Sequence, residues 1–69
     1  MSAHKIDNLT PLHTRIRVFT RKEVLRFEGI SIANTSVGVY LIEPKALGET
    51  YPVAEWFPFV SNELQLVLV

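Results

Sequence analysis

Three observations predict an all-β domain built as a strongly bent, five-stranded small barrel. From Arg15 onward apolar residues recur with period two, the pattern of strands that lay one face on a core. The alternating runs are short and are parted by the polar turns RKE, NTS and SNE, a spacing that small closed sheets share. A glycine interrupts the longest run, where a sharp bend or a β-bulge fits.

Residues 1–14 read as an N-terminal arm or a short helix. A helical turn there has to end before Pro11, because the residue preceding a proline resists the helical region. In RIRVFT, Ile16 and Val18 face one way while Arg15 and Arg17 face the other. After the RKE turn comes VLRFEGISIAN. Leu25 and Phe27 share a face, Ile30 and Ile32 share one that is a residue out of phase, and Gly29 stands at the phase break. One long strand bent at Gly29 is expected. In VGVYLIE, Val37, Val39 and Leu41 alternate with Gly38, Tyr40 and Ile42, so both faces are largely apolar and a central position is expected. PKALGET is the longest polar connection. The two prolines of YPVAEWFPFV cannot donate to a ladder, which points to an irregular or edge strand. LQLVLV closes the chain as a fifth strand.

At 69 residues and 48% hydrophobic, the chain is one domain (1–69) close to the lower size limit for a self-sufficient core. Domains this small recruit disulfides, a metal or a partner. Cysteine is absent, and His4, His13 and Asp7 fall short of a tetrahedral zinc set, so no metal or other cofactor is expected. Self-association is the remaining device. No apolar stretch reaches the length that spans a bilayer, and MSAHKIDNLT lacks the apolar segment of a secretory signal, so a cytoplasmic location without membrane contact is expected. The sequons at Asn8 and Asn34 are then expected to be chance. Net charge is zero but uneven. Lys5, Arg15, Arg17, Arg21, Lys22 and Arg26 crowd the first 26 residues, whereas beyond them Lys45 stands against Glu28, Glu43, Glu49, Glu55 and Glu63. Such polarity suits an anionic partner or a self-complementary assembly, or else two solvated strand faces.

PLHTRIRVFTRKEVLRFEGISIANTSVGVYLIEP resembles the first motif of the Sm-like (LSm, Hfq-type) family: a helix, an alternating strand, a charged turn, a bent strand with a glycine, and a third apolar strand. Gly29, Asn34 and Leu41 fall near the family's characteristic places, with the stretch between Gly29 and Leu41 one residue short. FPFVSNELQLVLV resembles the second motif, a strand, a tight turn and a final strand. The resemblance covers nearly the whole chain as a pattern more than as identities. It implies an Sm-like barrel that closes a ring by pairing the fourth strand of one subunit with the fifth of the next. Trp56, Phe57, Phe59, Leu64, Leu66 and Leu68 then become candidate interface residues, with closure of the monomer's own barrel as the alternative for LQLVLV. Ser61 and Asn62 stand where the family usually carries an Arg-Gly or Lys-His pair, and Gly38 and Val39 where it usually carries an asparagine. The residues that hold bases in the family's usual pocket therefore have no counterpart here.

The sequence holds no phosphate loop, zinc-protease motif, nucleophile elbow or cysteine nucleophile, so no catalytic residue is assigned and a non-catalytic protein is expected. Asn34 and Ser36 also match the [DN]-x-S start of a PilZ element, but Gly38 comes one position early and the paired arginines are missing. Arg15, Arg17, Arg21, Lys22 and Arg26 form a candidate phosphate-binding surface. Asn34, Tyr40, Ser61 and Asn62 join them as candidate nucleic-acid contacts, and Tyr40, Trp56, Phe57 and Phe59 offer rings on which unpaired bases could stack. The competing readings are ion pairs of the arginines with Glu23 and Glu28, and core or interface packing for the aromatics. The expected function is a ring-forming homo-oligomer that binds single-stranded RNA or another nucleic acid. The alternative is a structural oligomerisation or protein-interaction module.

Overall fold

The computed structural model describes residues 6–69, so His4, Lys5 and the first five residues of the expected arm lie outside it. Five strands form one antiparallel sheet: β1 (Arg15–Thr20), β2 (Leu25–Asn34), β3 (Gly38–Ile42), β4 (Glu55–Pro58) and β5 (Leu64–Leu68). Their order across the sheet is β4-β3-β2-β1-β5. The expected all-β class and strand count are present, but the barrel is not closed. β4 and β5 end the sheet and do not pair with each other. β4 is only four residues long, and Pro58 cannot donate. Phe59 N–H donates toward β3, to Val37 C=O, so by alternation the Pro58 nitrogen lies on the free side. Pro58 thus marks an edge strand.

A single sheet with no second layer buries a core only by curling over itself. Ile16, Val18, Val39, Leu41 and Phe57 are buried together with Ile6 of the arm, and Phe59, Leu64, Leu66 and Leu68 pack against them. Ile16 and Val18, the β1 residues that the alternation puts on one face, are inward, opposite Leu68 and Leu66 of β5. The curl is visible where β2 meets β4 across the intervening β3: the Phe27 and Phe57 rings lie 5.5 Å apart, tilted by 39°.

The bend in β2 departs from its expected form. Phe27, Gly29 and Ser31 keep one unbroken alternation on the core side, opposite Val18, Ile16 and Leu41 respectively. Ile30 lies outward opposite Arg15. Irregularities flank Gly29 instead of coinciding with it. The β1 register slips past Arg26, and the β3 register slips past Ile32. Gly29 is required for another reason. A Cβ there would lie 2.6 Å from the Ile42 carbonyl oxygen and 3.1 Å from Leu41 Cβ. Close strand approach at the bend, not a positive φ, selects glycine.

No helix forms in the described part of the arm. Asp7–Thr10 is a turn, with Thr10 N–H donating to Asp7 C=O, and the chain then runs along β2. Ser31, the one buried polar residue among those described, anchors it: its Oγ accepts from Thr14 N–H at 3.1 Å and donates to Pro11 C=O at 3.3 Å. The expected polar connection after β3 contains a short 3₁₀ turn, Pro44–Ala46. Among the described residues no helix is long and apolar enough to cross a membrane.

Candidate nucleic-acid interface

The structure divides the candidate residues among three places. The first is the sheet face away from the core. Arg15 and Arg17 project there from β1, as the alternation expects, and both reach the same carboxylate, Glu28 of β2, at 3.4 and 3.3 Å. Glu28 therefore contacts both guanidinium groups across the strands, one carboxylate shared by two cations. Glu23, the other expected partner, makes no such pair among the described residues. Tyr40 and Trp56 sit directly opposite each other on β3 and β4, 39% and 40% exposed, so neither ring belongs to the core.

The second place is a groove of about 690 Å³ beneath the two turns that flank β5. The β1–β2 turn contributes Arg21, Lys22 and Glu23, and the β4–β5 turn contributes Ser61 and Asn62. Phe59, Leu64 and Leu66, packed on the core, give the groove an apolar side. The turn geometry explains how the cations come to be presented. Thr20 N–H donates to Val24 C=O at 2.8 Å, leaving a three-residue loop. Glu23 takes the left-handed conformation that such a loop requires at its third position, with φ 61°. Arg15, Arg17, Arg26 and Lys45 are each in an ion pair. Among the described Lys and Arg residues, Arg21 and Lys22 alone have no carboxylate within salt-bridge distance.

The third group makes contacts within the chain itself. Arg26, extra in the β1 register, does not join Arg15 and Arg17. It turns across the curl to Glu55, and its guanidinium carbon lies 5.8 Å from the Phe57 ring centre. Asn34 Nδ2 donates to the carbonyls of Thr10, at 2.8 Å, and Asn8, at 3.4 Å, which ties down the arm. Phe57, Phe59, Leu64, Leu66 and Leu68 are engaged by the chain's own core. A neighbour is offered the free backbone of β4 and β5 and the outward side chains Trp56, Gln65 and Val67.

Phe59, one of the rings on which a base could stack, belongs to the groove, and so does Glu23, which does not read as a ligand contact in sequence. Their roles depend on two turns 40 residues apart in numbering that fold to one place, which no local pattern records. A second groove of about 340 Å³ is rimmed by Glu43, Glu49 and Glu55 with Lys45. Its acidic rim does not suit a polyanion. Among the described residues no three His, Asp or Glu side chains are grouped to hold a metal ion.

No protein-family model matches this chain, and neither a curated protein nor a solved structure matches it.

Proposed function

We propose that this chain is a non-catalytic, Sm-like module that assembles into a ring through its sheet edges and binds single-stranded nucleic acid, RNA foremost. The observation that carries the reading is the strand order. It leaves β4 and β5 as the two open ends of one curled sheet, and these are the strands that the Sm-like resemblance pairs between neighbours. An open apolar edge recruits another strand, and a head-to-tail contact that closes cyclically covers every edge. A curled sheet already turning on itself is suited to pairing its ends with those of neighbouring copies. The small size of the core gives assembly a thermodynamic purpose as well. The unpaired cations of the groove and the outward aromatic pair supply the nucleic-acid part.

Native mass spectrometry tests both parts together, with and without hexameric oligouridylate or oligoadenylate. A cyclic oligomer that gains oligonucleotide mass is expected. A monomer at all concentrations sinks the ring, and an oligomer that never takes up oligonucleotide leaves the structural module in its place. Gln65→Glu with Val67→Glu locates the contact, since both side chains point away from the core. The double variant is expected to stay folded and become monomeric. Retention of the oligomer would place the interface elsewhere.

A further inference from the structure

The Sm-like resemblance places a cationic or base-holding pair in the turn before the last strand, and this chain has Ser61 and Asn62 there. We infer that the missing charge is supplied in space by Arg21 and Lys22 of the β1–β2 turn, and that the groove they share with Ser61 and Asn62 binds the phosphate and base of one unpaired nucleotide. The inference rests on the proposed nucleic-acid reading and assigns it a site.

Four features converge on this ligand class. The volume, about 690 Å³, lies in the range of small-molecule sites. Its two basic residues are the ones left without a carboxylate when the remaining described Lys and Arg are all paired. An anion therefore gains their full attraction without first breaking an ion pair. The opposite turn offers uncharged hydrogen-bonding groups. Ser61 Oγ already accepts from Glu63 N–H at 3.1 Å, which leaves its hydroxyl proton to donate. The Asn62 amide is exposed and supplies both donor and acceptor. Phe59 and Leu66 give an apolar surface for a planar base. In a duplex that base face is hidden by its neighbours, so the groove favours an unpaired nucleotide. Glu23 is the opposing feature, a carboxylate at the same groove, and it fixes the sign of one test.

The same chemistry is presented by a free mononucleotide and by a residue within a strand, and the two are separated by measuring both. Fluorescence anisotropy of labelled hexauridylate and hexaadenylate, with competition by UMP, AMP and a matched duplex, is compared across three variants of the full chain. Arg21→Gln with Lys22→Gln is expected to weaken hexamer binding at least about tenfold at low salt. It should also lower the salt slope by about 0.7, the value for one single-strand phosphate contact. Arg15→Gln with Arg17→Gln should change affinity less than about threefold, because those guanidinium groups already share Glu28. Glu23→Gln should tighten binding. Competition by mononucleotides, with a weak response to the duplex, supports the groove as a single-nucleotide site. If the first variant keeps the wild-type affinity and slope, or if the Arg15/Arg17 variant is the one that loses binding, the groove assignment is overturned while the nucleic-acid reading stands. If the wild type binds no oligonucleotide or mononucleotide, both fall. Circular dichroism on each variant separates loss of contact from loss of fold.

Discussion

The indole of Trp56 lies across Gly38, so that a Cβ on residue 38 would occupy the space of its ring carbons Cζ2 and Cε2. The glycine costs β3 packing and backbone entropy. It allows the largest side chain of edge strand β4 to lie flat on the outward face, beside Tyr40.

Gly38→Ala is accordingly expected to destabilise the fold by about 2–3 kcal/mol, as overpacking at a rigid site does. The Phe57 carbonyl oxygen would also lie 2.6 Å from the new Cβ. Urea denaturation followed by circular dichroism measures the loss. Combining it with Trp56→Ala should cost less than the two single losses added, since the indole collision is gone. Additive losses would show that the ring does not rest on residue 38.

Ser31→Ala removes the acceptor of Thr14 N–H and the donor to Pro11 C=O while leaving the backbone pair between Ser31 and Thr14 intact. A loss of about 1 kcal/mol is expected, with faster amide exchange at Thr14. Unchanged exchange there would mean that the backbone contacts alone hold the arm.

Glu28→Gln breaks both arginine pairs at once, yet the guanidinium groups are about half exposed. The expected loss is below about 1 kcal/mol. It should vanish in molar salt, where screening removes what the pairs contribute. A larger, salt-independent loss would point to packing by the Glu28 stem.

Glu23→Asn keeps a side chain at φ 61° but supplies one that tolerates the left-handed region better. A gain of less than about 1 kcal/mol is expected, read as a higher denaturation midpoint. A lower midpoint would show that the Glu23 carboxylate contributes more to the turn than its conformation costs.

Much of the sheet is legible in the residues. The inward set Ile16, Val18, Val39 and Leu41, the outward Arg15 and Arg17, the central place of β3 and the edge place of β4 all follow from alternation and from proline chemistry. Each depends only on side chains two apart or on a missing donor. Arg26 shows where that logic stops. By simple alternation it joins the outward arginines, but an extra residue in the β2 register turns it toward Glu55 and Phe57. Leu64, Leu66 and Leu68 read as interface, with closure of the monomer's own barrel as the alternative, and the curl brings them onto Ile16 and Val18.

The sequence alone determined five short strands, their inward and outward faces, and a charge excess in the first 26 residues. Tertiary structure decided that the sheet curls without closing, and that Glu28 is shared by two of the arginines. It also brought the uncommitted pair Arg21–Lys22 to the turn carrying Ser61 and Asn62. The reason is physical. Patterning acts through local geometry, whereas the fate of a charge depends on which carboxylate long-range pairing sets beside it. The SNE turn carries no cation of its own; the fold places two across the groove from it.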